Sequence, residues 1–211
     1  MSASFNRKPN KPMSLLLEIL HKIAAHPWVY DRIQTAAGQR VSLERMRKTV
    51  SCSTRDVIVD VGGGTGATRR VWPSLCRYIC LDIEMPKLKG FRSKNPDGLG
   101  VLGDATRMPF ADGSADLLVC VAMIHHLTDE MVEQLFEEAS RILRPGGRVV
   151  LLDPVLNRSR WLGLVLWRLD RGSNPRTAGD LRSRLASRFQ VVHWESYAIL
   201  HEYVLGIGVR Q

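Results

Sequence analysis

A glycine cluster at the end of an apolar run constrains this chain most. Residues 56–70 read DVIVDVGGGTGATRR, so Gly62, Gly63, Gly64 and Gly66 follow directly on Val57–Val61. Such a run suits a buried strand, and bare backbone after it suits a turn where a ligand and the main chain come close together. Asp60, two residues ahead of the first glycine, puts a carboxylate beside that turn.

The rest of the chain places the turn in a fold. Short apolar runs recur at Val57–Val61, Tyr78–Leu81, Gly100–Leu102, Leu117–Ala122 and Val149–Leu152. Runs that are apolar almost throughout suit strands buried on both faces of a parallel sheet. Helical stretches fall between most of them. The clearest is Asp129–Leu143, with Thr128 as N-cap, acids in the first turn and a stop at Arg144–Gly147, RPGG. The alternation predicts a doubly wound α/β fold. Downstream, a short apolar helix within 158–172 and another at Ala178–Ser187 precede strands Gln190–Tyr197 and Tyr203–Val209. Their connection is too short for a parallel crossover, so an antiparallel C-terminal pair is expected, completing a seven-stranded, mostly parallel sheet. Upstream, residues 1–12 read as a disordered tail, followed by helices at Met13–Ala25, through Tyr30 and Ile33, and at Val41–Val50. Residues 13–211 are expected to form a single domain.

Composition sets outer limits. A chain of 211 residues with 45% hydrophobic and 24% charged content is of ordinary globular type. It has no run near the ~18 apolar residues of a membrane span. Its N-terminal apolar stretch makes no convincing signal peptide, so a cytoplasmic location is expected. Cys52, Cys76, Cys80 and Cys120 lack CxxC or zinc-finger spacing and read as reduced thiols. No metal site is expected. Lys and Arg outnumber acids 30 to 21, and the window Arg158–Arg188 holds eight Arg against Asp170 and Asp180. These are solvated helix faces, or a patch that draws an anionic substrate or membrane surface.

Two ligands compete for the glycine turn. Gly62, Gly64 and Ala67 satisfy G-x-G-x-x-G/A and Asp82 follows at a strand end, as in dinucleotide-binding dehydrogenases. Asp60 argues against that reading, because a carboxylate beside the turn repels a pyrophosphate and favours a cationic ligand. S-adenosylmethionine, with its ammonium and sulfonium, is such a ligand. Asp82 can accept hydrogen bonds from vicinal ribose hydroxyls.

These stretches, in order, resemble the class I S-adenosylmethionine-dependent methyltransferases of the type 11 branch, over about residues 55–155. VDVGGGTG (59–66) is similar to the first motif, CLDIE (80–84) to the second and GDATRMPFADGSADLLV (103–119) to the third. CVAMIHHLTD (120–129) and RILRPGGRVVLLDP (141–154) are similar to the segments around the fourth and fifth strands. The resemblance implies a Rossmann-like three-layer fold that binds the donor and releases S-adenosylhomocysteine. It implies donor contacts at Asp60, Gly62, Gly63, Gly64, Gly66, Asp82, Ile83, Asp104, Ala105, Cys120 and Val121. By the same analogy residues 13–50 form a helical lid, with Tyr30, Asp31 and Gln34 lining it.

Methyl transfer from a sulfonium needs alignment, exclusion of water and, for a protonated acceptor, a base. His125 and His126, just past the fourth strand, are the base candidates, unless one packs on the donor and the other fills the adjoining helix. The apolar stretch WLGLVLWRLDRG (161–172) either packs over the sheet or walls a hydrophobic acceptor. In the second case Tyr30, His126, Trp161, Arg171 and Arg176 would be its contacts. The expected activity is methylation of a small or lipid-like acceptor at O, N or C, with peripheral membrane contact possible. A tRNA or RNA methyltransferase and a non-catalytic donor-binding protein stay open as alternatives. After the fourth strand stands CVAMIHHL, where base-amino methylation commonly uses an acid or Asn before Pro-Pro and an aromatic.

Overall fold

The computed structural model describes residues 38–160, 163, 164, 167, 174–199 and 201–211. The expected tail, the first two helices, the lid residues Tyr30, Asp31 and Gln34, and Trp161 and Arg171 lie outside them. By chain contacts, residues 1–39 and 40–211 form two units, and the whole sheet belongs to the second.

Helix α1 (Gln39–Thr49) leads into β1 (Val57–Val61), β2 (Arg77–Asp82), α2 (Met85–Lys94), β3 (Leu99–Leu102) and β4 (Ala115–Val121). Then come α3 (Asp129–Ile142), β5 (Leu143–Val155), α4 (Ala178–Ala186), β6 (Gln190–Ala198) and β7 (Glu202–Val209). The seven strands run in the order β3-β2-β1-β4-β5-β7-β6. Parallel pairing joins β3, β2, β1, β4 and β5, and β7 runs antiparallel to both β5 and β6. This is the mostly parallel, doubly wound sheet that the sequence predicts.

Alternation along the strands divides the core into two layers. Val59, Val61, Leu118, Cys120, Val149 and Leu151 face α3 and α4 through Leu135, Phe136, Leu181 and Leu185. Ile58, Leu117, Val119, Val150 and Leu152 face α1 and α2 through Leu43, Met46, Leu88 and Phe91. Phe91 also supports the glycine turn, since a Cβ built on Gly66 would stand 2.5 Å from its ring.

Thr128 caps α3 as the sequence predicts, its hydroxyl accepting the Met131 N–H at 3.3 Å, and the structure adds Thr177 as the cap of α4. Between β1 and β2 the described chain makes a 3-10 turn, Arg69–Val71. Two expectations need correction. The RPGG stretch follows the end of α3 at Ile142 but already belongs to β5, whose residue Leu143 pairs with Ala115 across a bulge. β5 then extends to Val155 because β7 pairs with it from Arg148 onward.

Replacing Phe91 by alanine empties a fully buried site beneath the turn. The expected loss is about 3–5 kcal/mol of unfolding free energy, read from the urea midpoint at unchanged slope.

Candidate active site

The strand order reverses between β1 and β4, and open α/β sheets bind ligands at the carboxyl ends of such strands. Both strand ends here carry left-handed backbone: Gly62 after β1 with φ 66° and Ala122 after β4 with φ 51°. A non-glycine residue held there is uncommon and costs free energy that the surrounding fold must offset.

On the β1 side, Asp60 does not open onto the turn as the sequence argument supposes. Strand alternation turns it into the layer of Ile58, Tyr78 and Cys80, where it is fully buried. Its Oδ2 accepts hydrogen bonds from the Thr68 hydroxyl at 2.5 Å and from the Tyr78 hydroxyl, while Oδ1 is buried without a partner. Burial pushes the carboxyl up to about 6, against the pull of the Thr68 and Tyr78 hydrogen bonds, with the Asp82 charge adding to the rise. The carboxylate therefore acts on the turn from beneath. A Cβ on Gly63 would lie 2.8 Å from Asp60 Oδ2 and 2.8 Å from Cys80 Sγ, so this position has to be bare.

Asp82, at the end of β2, is 5% exposed and braces the turn as well. Its Oδ2 accepts the Gly64 N–H at 2.9 Å and its Oδ1 the Glu84 N–H at 2.8 Å. Each carboxylate oxygen has a second lone pair, so acceptor capacity remains for a diol. Ile83 beside it is 68% exposed, an apolar surface left uncovered at the strand end. Asp104 Oδ1 accepts from the Thr106 N–H and hydroxyl, both at 2.8 Å, and half-buried Ala105 packs on the core. Arg141 and Glu138 of α3 hold the following loop. Arg141 donates to the carbonyls of Phe110 at 2.8 Å and Met108 at 3.0 Å, and Glu138 accepts the Met108 N–H at 2.6 Å.

On the β4 side, Cys120 lies wholly inside the core, so its side chain offers a ligand no surface. Val121, one residue on, is half-buried at the strand end. The next segment bends into a 3-10 turn, Ile124–His126, that carries both histidines. His125 is buried and His126 exposed, their rings 4.0 Å apart. Asp153 of β5 accepts the His125 N–H on Oδ2 at 2.8 Å and lies 3.1 Å from its Nδ1 through Oδ1. The sequence reading passes over Asp153. Its signal is the one that marks Asp60 and Asp82, an acid at the carboxyl end of a parallel strand.

Arg176 needs correction as an acceptor contact. It is buried and donates to the carbonyls of Ile124 at 3.2 Å and Leu127 at 2.7 Å, with its charge against Asp129 at 2.7 Å. Its guanidinium locks the histidine turn to α3. Arg184 likewise reaches Glu133 at 2.9 Å and Asp129 at 3.0 Å, and Arg188 reaches Glu137 at 4.0 Å. Elsewhere, a hollow of about 930 Å³ along α1 and the Arg69–Val71 turn is lined by Arg40, Arg45, Arg47, Lys48 and Arg70, with Glu44. Among the described residues it shares none with the strand-end site. Among the described residues no cluster of metal-ligating side chains and no helix long and apolar enough to cross a membrane occurs.

With this geometry in place, the family described as "Methyltransferase domain", type 11, matches residues 59–151. Those residues belong to that family, within the class I S-adenosylmethionine-dependent methyltransferases. A demethylmenaquinone methyltransferase of Paenarthrobacter aurescens is 24% identical over 152 residues, 72% of this chain and 58% of its own length. A tRNA (carboxymethyluridine(34)-5-O)-methyltransferase of Arabidopsis thaliana is 32% identical over 102 residues, 48% of this chain and 24% of its own length. The chain thus spans less than two thirds of either relative. The crystal structure of YcgJ from Bacillus subtilis shares the fold with a TM-score of 0.70 at 18% identity, over 82% of this chain and 99% of that one.

Asp60 makes stability depend on pH. A folded pKa near 6 against an ordinary value of 3.8 means that this group's contribution is complete below about pH 4 and is lost as pH rises through 6. Between pH 4 and 8 the wild-type protein should lose about 3 kcal/mol relative to Asp60→Asn. Urea unfolding of both proteins across that range measures it, and parallel curves would refute the assignment.

Proposed function

We propose that the chain transfers a methyl group from S-adenosylmethionine to a small or lipophilic acceptor at the β1–β4 strand ends. Gly62, Gly63, Gly64 and Gly66 would cradle the donor's amino-acid end, Asp82 its ribose, and Ile83, Asp104 and Ala105 its adenine. The bound donor supplies an already activated methyl. What is left to the protein is to align the acceptor, keep water away and take up a proton, and the His125–His126 turn stands beside the strand ends for that last task.

One observation carries the choice of acceptor. Arg176 and Arg184, from the arginine-rich window 158–188, are held against α3 acids and main-chain carbonyls. A surface built to track a phosphate backbone leaves such cations facing solvent. The similarity to a quinone-modifying enzyme, which extends over 72% of the chain, supports the same reading. A second reading, methylation of RNA, is favoured by the basic hollow along α1 and by the similarity to the plant tRNA enzyme.

Methyl-tritiated S-adenosylmethionine, offered with a solvent extract of cellular small molecules and lipids or with total tRNA, separates the readings. Label is expected in the extract. Label in tRNA alone would establish the second reading, and label in neither would leave a donor-binding protein without turnover. For the donor site, Asp82→Asn should weaken S-adenosylhomocysteine binding about 10- to 100-fold by titration calorimetry, through loss of a charged acceptor. Unchanged affinity would remove Asp82 from the ribose.

A further inference from the structure

We propose that Tyr78 and Thr68 are positioning residues of the donor site: their hydroxyls hold the Asp60 carboxylate as a charge directly beneath the glycine turn, where it draws a cationic methyl donor. This role rests on the transferase reading above. Both hydroxyls converge on one oxygen, Oδ2, Thr68 at 2.5 Å and Tyr78 alongside it. A hydroxyl has a single proton and an ionised carboxylate only accepts, so each proton goes to Oδ2. The 2.9 Å approach of the two hydroxyl oxygens is then that of two donors gathered on one acceptor.

Contact with the turn places the charge. A Cβ on Gly63 would stand 2.8 Å from Oδ2 and 2.9 Å from the carboxyl carbon, so the main chain there lies directly on the acid. The turn's own donors do not answer that charge. The N–H groups of Gly62 and Gly63 go to the Leu81 carbonyl at 2.8 and 3.2 Å, and that of Gly64 goes to Asp82. Among the described residues only Thr68 and Tyr78 donate to Asp60, and its Oδ1 is buried without a partner. A carboxylate held in this way, out of water and half answered, gains from a cation brought near it. S-adenosylmethionine brings an ammonium and a sulfonium.

The other titratable and charged groups around Asp60 are Cys80 and Asp82 of β2 and Cys120 of β4. Arg69 lies over the Tyr78 ring, its guanidinium carbon 5.4 Å from the centroid. Helices α1 and α2 bring only apolar Leu43, Met46, Leu88 and Phe91 to this layer. Burial pushes the Cys80 thiol up to about 12 and the Cys120 thiol well above its ordinary value. It raises the Tyr78 phenol too, so that Tyr78 stays a donor while Asp60 ionises near 6.

Titration calorimetry of the full chain with S-adenosylmethionine, from pH 5 to 8.5, tests this without turnover. Comparing proteins at each pH cancels the donor's own ionisation. Wild-type affinity relative to Asp60→Asn should rise about tenfold between pH 5 and 8, as the carboxyl ionises. Tyr78→Phe removes one hydrogen bond to the charged form, which moves that rise upward by about 1–2 pH units. The variant should therefore bind about 2- to 10-fold more weakly than wild type at pH 7, yet come within about 1.5-fold at pH 8.5. Thr68→Val should behave alike, and Thr68→Ser, which keeps the hydroxyl, should match wild type throughout. A merely structural loss would weaken binding by one factor at every pH. That outcome, or wild-type and Asp60→Asn profiles that run parallel, overturns the proposal. If Tyr78→Phe does not fold, the Asp60→Asn comparison and the two Thr68 variants decide it. A wild-type protein that binds no donor at any pH sinks the transferase reading instead, so the two failures are told apart.

Discussion

A carboxylate with no water around it has to be answered by donors, and the whole β1 side of the site is arranged around one such group. Asp60 sits in an apolar layer with Thr68 and Tyr78 as its donors, and the glycine turn closes over it because Gly63 has no side chain to collide with its oxygen. Thr68 belongs to the segment leaving the turn and Tyr78 to the next strand, so one buried acid ties together three successive pieces of chain. Burying it is costly, as the raised pKa records. The cost is spread through the fold, which keeps the turn in one shape before any ligand arrives.

The β4 side solves the same problem with the opposite sign. There a cation, Arg176, is buried among main-chain carbonyls, and its charge is balanced by Asp129 at the start of α3. Asp129 thus serves twice, at the positive end of the helix and as the partner of two guanidinia. Both halves of the strand-end site are therefore fixed by buried charges whose partners come from separate elements. A shift of α3 against the sheet would be felt at the histidine turn and, through Arg141, at the loop after Asp104.

The range of each interaction decides how much of this is legible in the sequence. The strands declare themselves by apolar runs, and α3 by Thr128, because strand burial and capping are written within a few residues. Whether a residue at a strand end faces a ligand or the core depends on the parity of the strand, and that is what misplaces Asp60 and Cys120. Nearness to the turn makes both look ligand-facing, although Cys120 shares its layer with Val59 and Val61, and Asp60 shares the opposite one with Ile58. Arg176 stands 47 residues from the acid it pairs with, and no local pattern announces a partner at that distance. Asp153 carries the right signal, but within LLDP it reads as the end of a structural strand.

The order of the last three strands bears on how such a protein is made. β7 comes after β6 in the chain yet lies inside it, hydrogen-bonded to β5 along Arg148–Val155, with Val204 directly opposite Asp153. On a ribosome, therefore, residues up to 160 emerge with one long edge of β5 unclaimed, and β6 cannot cover it. That edge remains open to other unpaired strands until residues 202–209 arrive, and an exposed strand edge is where chains join one another. The β7 position beside β5 is thus the last place in the sheet to be filled, and until then the chain carries an open strand edge.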